Sequence, residues 1–267
     1  MQFIKAEQEK LSEEVVSASR EAQIEVIVPA YNEEETIGRT IERIATTLGK
    51  MSRTYRILVV DDGSEDRTSE KILGHAKNGE GGRITLVRNN RNMGKGFAIK
   101  RAAEYVTGEI VAIIDADLAI DPKQLELYID QLKSCDVCIA SKRHPNSVYA
   151  GALSRRIMSA GFNSMVRLAT GLKESDTQAG FKVMKSGVFK KIMGPVVVKR
   201  YAFDVEMLLV AKLLGAKVSQ MPVRVQQESG FKIAEIVNMM KDLLGIAYRF
   251  RVKKWYQQVQ ASQVLRP

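Results

Sequence analysis

Two pairs of aspartates carry the strongest chemical signal in this chain of 267 residues. Asp61 and Asp62 end an apolar run in VVDDGSEDRT, and Asp115 and Asp117 end another in IIDADLAI. Carboxylates spaced D-x-D can hold Mg2+ or Mn2+ through oxygen ligands and leave coordination positions for a diphosphate. Aspartates after strands also form turns and cap helices, so either pair alone decides little. Two pairs at two strand ends decide more. In an open α/β sheet the ligand sits beyond the carboxyl ends of the strands, and both pairs then face one crevice.

The elements that must position them follow from hydrophobic periodicity. The first half alternates short apolar runs with amphipathic stretches, the pattern of βαβ units on a mostly parallel sheet flanked by helices. Strands are expected at 24–29, 56–60, 83–87, 110–114 and 137–140. Ile37, Ile41, Ile44, Ala45 and Leu48 form one apolar stripe. Asn32 is the expected cap of that helix, with Glu33, Glu34 and Glu35 at the positive end of its dipole. Further helices are expected from Gly94, after Asp121-Pro122, at 151–169 and at 203–214, with a strand at 218–225. The expected organisation is an N-terminal extension at 1–22, one α/β domain at 23–230, and an amphipathic basic helix and tail at 231–267. Within the domain, 23–140 is the half carrying both acid pairs.

Charge is segregated along the chain. Residues 1–140 hold 19 Lys+Arg against 24 Asp+Glu, a net of −5, and residues 141–267 hold 22 against 7, a net of +15. The basic half calls for an anionic partner such as phosphate or acidic lipid. Nucleic acid fits poorly, because stacking platforms are absent among the eight Phe, eight Tyr and one Trp and the acidic half would repel a polyanion. No apolar run reaches the ~20 residues of a spanning helix, and 1–21 lacks a signal-peptide core. A cytoplasmic protein, peripheral to a membrane, is expected. The tail supports the same picture, since Ile233, Ile236, Val237, Met240, Leu243, Leu244 and Ala247 recur at helical spacing beside Lys241, Arg249, Arg251, Lys253 and Lys254. That composition suits a helix lying in a membrane interface, and equally a helix packed on the domain's own core. Cys135 and Cys138 form a lone CxxC without metal-ligand histidines, so reduced structural thiols are expected.

Taken in order, VIVPAYNEEETI, LVVDDGSEDRT, NRNMGKGFAIKRA and IDADL resemble the family-2 glycosyltransferases of the GT-A fold. DTQAGFKV and RYAFDVEML resemble its dolichyl-phosphate glucosyl- and mannosyltransferase branch. The likeness runs from about Ile24 to Lys232. It implies a single GT-A (Rossmann-like) domain that moves one hexose from a nucleotide-sugar to a polyprenyl phosphate, inverting the anomeric centre. A membrane surface, and a separate membrane-anchoring protein, are the implied partners. The rival within the fold is a transferase acting on a protein, polysaccharide or small-molecule acceptor.

The resemblance also assigns roles. Pro29, Tyr31 and Glu33 would line the nucleotide pocket, Asp61 would read the base, and Asp62 would turn the chain beneath it. Asn92 and Lys95 would stand in a glycine-bearing loop at the donor, which lacks the spacing of a P-loop. Asp115, Ala116 and Asp117 would meet the sugar diphosphate, with Asp115 and Asp117 holding Mg2+ or Mn2+. Lys142, Arg143, Arg156, Arg200, Arg224 and Lys232 are the candidates for the acceptor phosphate, since guanidinium groups bind phosphate bidentately. A phosphate monoester is already largely anionic at pH 7, so positioning by arginine can replace a general base. Asp176, Asp204 or Glu206 would serve if a base is needed. Ala119 stands where the mannosyl branch carries Gln, and Glu228-Ser229-Gly230-Phe231-Lys232 departs from the usual acceptor loop. Thr177 to Lys182 is closer to the glucosyl branch, which puts UDP-glucose ahead of GDP-mannose.

Overall fold

Seven-residue runs such as IEVIVPA and YRILVVD are apolar on both faces, the pattern of strands covered on both sides. The computed structural model describes residues 15–16, 22–77, 83–149, 153–225 and 233–258. Its strands are β1 (Val15–Val16), β2 (Ile24–Ala30), β3 (Tyr55–Asp61), β4 (Ile84–Arg88), β5 (Ile110–Ile114), β6 (Val137–Ala140), β7 (Phe181–Lys185) and β8 (Val218–Met221). They form one sheet in the order β1-β4-β3-β2-β5-β7-β6-β8. β1 and β7 run against the other six. The sheet is thus mostly parallel, as expected. β7 is the addition: FKVMK carries two lysines and lies outside the expected strands, yet it bridges β5 and β6 in the middle of the sheet.

The helices are α1 (Ile37–Leu48), α2 (Thr68–Lys77), α3 (Lys95–Ala102), α4 (Leu125–Gln131), α5 (Leu153–Thr170), α6 (Ser186–Met193), α7 (Phe203–Leu213) and α8 (Ile233–Arg251). One core lies between the sheet and α1, α2 and α4. The other joins it to α3, α5, α6, α7 and α8. In α1, Ile37, Ile41, Ile44 and Leu48 are fully buried, each stabilising by about 1.5–3 kcal/mol relative to exposure. The start of α1 corrects the expected cap. Thr36 occupies the N-cap, and no acidic residue lies in the first turn. Asn32 instead takes a left-handed conformation (φ 54°), which asparagine tolerates. Its amide N–H donates to Ser64 Oγ at 2.9 Å and its Oδ1 accepts from Glu65 N at 2.9 Å.

The last helix packs one face on the domain's own core and leaves the other face exposed. Met239, Leu243 and Ile246 enter the core. On the opposite face Val237, Leu244, Tyr248, Val252 and Trp255 are exposed, with Lys241 and Arg251 among them. Just beyond the helix, the fully buried Tyr256 hydroxyl donates to Glu206 Oε1 at 2.5 Å, and Arg249 Nη2 donates to the same oxygen at 3.2 Å. Among the described residues no helix is long and apolar enough to cross a membrane. The thiols of Cys135 and Cys138 are free, buried and 3.0 Å apart. Burial and the neighbouring thiol push Cys138 well above the ordinary thiol range, which fits structural rather than reactive cysteines.

Candidate active site

Parallel pairing of β2 with both β3 and β5 brings Ala30, Asp61 and Ile114 to one edge, so the segments that follow them meet there. Asp61 and Asp62 are buried and saturated. Asp61 Oδ1 accepts from Ser64 N at 2.8 Å, and its Oδ2 accepts from the Ser69 hydroxyl. Asp62 Oδ1 accepts from Asn89 Nδ2 at 2.7 Å and from Met93 N at 3.1 Å, while Oδ2 accepts from Gly94 N at 2.6 Å. Asp62 therefore fastens the loop 89–94 across the crevice. Gly63 (φ 75°) is required there, since a Cβ would lie 2.6 Å from the Arg91 backbone.

The second pair differs. Ala116 points inward between Asp115 and Asp117, its carbonyl accepting from the Thr40 hydroxyl at 2.6 Å. The two flanking carboxylates face the crevice. Asp117 Oδ1 accepts from Ala119 N at 2.9 Å. Lys95 Nζ stands 2.6 Å from Asp115 Oδ1. Behind Asp115 lies Gly180, where a Cβ would be 1.8 Å from Oδ2. Only a glycine leaves the carboxylate its place.

Charge at this end of the sheet is unbalanced. Burial raises the pKa of Glu33, opposed by its hydrogen bond from Thr36 and reinforced by Asp117 and Asp115. Burial likewise raises Asp117, opposed by the Ala119 amide and reinforced by Asp115. Burial disfavours the Lys95 charge, but Asp115, Asp204 and Asp117 outweigh it and hold the ammonium above the ordinary lysine range. Glu33, Asp115 and Asp117 thus outnumber Lys95, and the surplus is negative. Hard oxygen donors with surplus negative charge fit a divalent cation of the Mg2+ or Mn2+ type. Among the described residues no three His, Cys, Asp or Glu side chains form a metal-holding group by themselves. Asp115 and Asp117 would hold such an ion together with ligand oxygens or water.

The other expected site residues fall into separate places. Pro29 ends β2 and Tyr31 is exposed at the crevice mouth. Asn92 accepts through its backbone carbonyl from Arg200 Nη2 at 3.1 Å. Lys142 and Arg143 follow β6. Lys142 Nζ lies over the Tyr149 ring, 5.1 Å from its centroid, and lowers the Asp117 pKa. Arg143 Nη2 donates to Ser159 Oγ at 3.3 Å. Arg224, in contrast, lies by α4, where its backbone exchanges hydrogen bonds with the Gln124 side chain. The expected acceptor-phosphate set is thereby split, with Arg200 at the 89–94 loop and Lys142 and Arg143 beyond β6. Lys232 and the Arg156 side chain lie outside the described residues.

The three candidate bases are all engaged. Asp176 Oδ2 accepts from Lys142 N at 3.0 Å and Oδ1 from Gln178 N at 3.2 Å. Asp204 is buried against Lys182, whose Nζ donates to its Oδ1 at 2.7 Å. Burial would raise the Asp204 pKa, but Lys182 and Lys95 lower it. Glu206 is fully buried, with Oε2 accepting from Val197 N at 2.8 Å and Val198 N at 2.6 Å and Oε1 from Tyr256 and Arg249. Its place is structural, which corrects the expectation of a catalytic role. Gly180 and Lys182 were missed as site residues. A lysine inside an otherwise apolar strand was the available signal for Lys182, because a buried ammonium needs a buried anion.

The crevice at the carboxyl ends of the strands, with paired aspartates beneath a glycine loop, is that of a nucleotide-sugar transferase. The chain matches the family described as Glycosyl transferase family 2 over residues 25–193. It belongs to that family, in its dolichyl-phosphate branch, and is a hexosyltransferase. It is 32% identical over 244 residues to the dolichyl-phosphate beta-glucosyltransferase ALG5A of Trichomonas vaginalis, covering 87% of this chain and 75% of that one. It is 30% identical over 250 residues to the dolichyl-phosphate beta-glucosyltransferase of Drosophila melanogaster, covering 87% and 77%. Among solved structures, the fold is shared with glucosyl-3-phosphoglycerate synthase of Mycobacterium tuberculosis in complex with Mn2+, UDP and glucosyl-3-phosphoglycerate. The TM-score is 0.63 at 18% identity, over 85% of this chain and 79% of that one.

Proposed function

We propose that the chain transfers glucose from UDP-glucose to a polyprenyl phosphate of the dolichyl type at a membrane surface, with inversion at the anomeric carbon. The observation that carries this reading is the half-exposed Asp115–Asp117 pair, set opposite Glu33 and Lys95 at the end of the parallel sheet. The relatives named above support glucose and dolichyl phosphate. In this reading Pro29, Tyr31 and Glu33 line the nucleotide pocket, and the 89–94 loop, fastened by Asp62, closes over the donor. Asp61 shapes that pocket through Ser64 and Ser69. Lys95 reaches the diphosphate. Asp115 and Asp117 would hold Mg2+ or Mn2+, which would supply positive charge against that developing on the departing nucleoside diphosphate.

Lys142 and Arg143 orient the acceptor phosphate. Its second pKa is near 6, so an anionic oxygen attacks the anomeric carbon while the bond to the diphosphate breaks. No proton has to be removed. This agrees with the commitment of Asp176, Asp204 and Glu206 to protein donors. The outer face of α8, apolar and interleaved with Lys241 and Arg251, supports a peripheral place on a membrane. A panel of nucleotide-sugars with Mn2+ and polyprenyl phosphate tests the reading by nucleoside diphosphate release. UDP release from UDP-glucose, dependent on the lipid and reduced about 100-fold in Arg143→Ala, is expected. Release from no donor, or an equal rate with an uncharged alcohol acceptor, would overturn it.

A further inference from the structure

A cavity of about 720 Å3 opens between the 89–94 loop, the segment leading into α7, and α8. Arg91, Lys199, Arg200 and Lys241 line it, against the single carboxylate of Asp242. That carboxylate is engaged: its Oδ2 accepts from Tyr201 N at 3.1 Å and Ala202 N at 3.2 Å, where α7 begins. None of the four cations forms an ion pair among the described residues. Arg200 gives one N–H to the Asn92 carbonyl and keeps the rest of its fork. Its placement depends on Gly94, where a Cβ would lie 2.4 Å from Arg200 Cγ. Lys199 lies over the Phe97 ring, 5.6 Å from its centroid. Four like charges around one opening repel one another, and an anion bound among them relieves that repulsion. A guanidinium fork beside ammonium groups suits a phosphate.

The rim of the cavity indicates where that phosphate comes from. Lys241 stands on α8 between Val237, one turn earlier and 50% exposed, and Leu244, one turn later and 67% exposed. These positions share a helix face. A phosphate held at Lys241 would therefore have its hydrocarbon beside an apolar stripe rather than in water. We propose that this cavity is a second anion subsite, which binds the phosphomonoester head of a membrane lipid and seats α8 on the bilayer. Neither Lys142 nor Arg143 lines it, and it rests on the reading that the enzyme works at a membrane.

Vesicle co-sedimentation at physiological salt tests it without reference to turnover. The probes are phosphatidylcholine vesicles carrying phosphatidic acid, or phosphatidylserine at matched surface charge, with inorganic phosphate as competitor. The wild-type chain should prefer phosphatidic acid. Arg91→Gln/Lys241→Gln should lose that binding on the order of 10-fold or more, at about fivefold per basic group near an anionic surface. A control with the same net charge, Lys50→Gln/Arg53→Gln on exposed residues away from the cavity, should lose little. Equal losses in the two variants would reduce the effect to net charge and overturn the site. Equal binding of both lipids would overturn the phosphomonoester class, and saturation by inorganic phosphate without displacement from vesicles would overturn the lipid source. Donor turnover in detergent reports on the transferase reading separately, so the two can fail independently.

Discussion

Asp61 and Asp62 commit all four of their carboxylate oxygens to protein donors, whereas Asp115 and Asp117 leave oxygens directed at the crevice. The two pairs end β3 and β5, the strands on either side of β2, yet the first builds the site and the second is left to react with what enters it. The difference arises from what folds over each pair. Backbone amides of the 89–94 loop close on Asp62, and such hydrogen bonds to a charged acceptor contribute about 1.5–3 kcal/mol apiece. Over Asp115, among the described residues, lie the Lys95 ammonium and the bare backbone of Gly180.

The contrast is sharpest at Asp117. Asp117→Asn should lower kcat by about 10^3 or more while the melting temperature stays within ~2 °C, because the carboxylate serves the ligand and not the fold. A large fall in melting temperature would erase the distinction. Asp204 joins the two regions, since it is buried like the first pair but coupled through Lys95 to the second. Asp204→Asn should cost about 3–5 kcal/mol in denaturant unfolding by leaving Lys182 buried without its partner. Its lowered pKa fixes the sign of the pH dependence. A carboxylate whose folded pKa lies below its ordinary value of 3.8 stabilises above that pH and loses its contribution as pH falls further. The wild-type melting temperature should therefore drop more steeply than that of the Asn variant as pH falls below the ordinary carboxylate value of 3.8.

Asp62→Asn tests the building role. The amide cannot serve Asn89, Met93 and Gly94 together, so a stability loss of about 2–3 kcal/mol is expected. KM for the donor should rise as the loop loosens, which steady-state kinetics would show. The smallest effect is Gly180→Ala. The methyl would displace Asp115, and a loss of about 10- to 100-fold in kcat with little change in melting temperature is expected. Unchanged turnover would show that Asp115 does not need that place.

Much of this was legible in the sequence because the strands are uninterrupted apolar runs. β5 and β6 fall where their runs begin and end, β2 extends one residue beyond its run, β3 extends one at each end, and β4 lies one residue later than its run. β7 was hidden because Lys182 reads as a surface residue until Asp204, 22 positions later, is folded against it. Asn32 looked like a cap because its type suits one, but the chain makes an extra turn through Glu33 before α1 begins. Both acid pairs were visible as ends of strands. Which pair stays open was not, because that depends on loop amides 30 residues away. The acceptor cations stand out by type in a basic half, and type carries no position: Arg200 lies at the 89–94 loop, Arg224 beside the start of α4, and Arg143 against Ser159.

The anchoring of Glu206 has a consequence for how the domain is completed during synthesis. Its fully buried carboxylate receives Arg249 and Tyr256, and Trp255 Nε1 donates to the Pro195 carbonyl at 3.3 Å. A chain halted before residue 249 would hold a buried anion with only two of its four donors. Late-made residues thus act as a closing latch on a core whose other parts are already present, and a truncation that removes them should behave as a stability mutant even though it spares every carboxylate of the crevice.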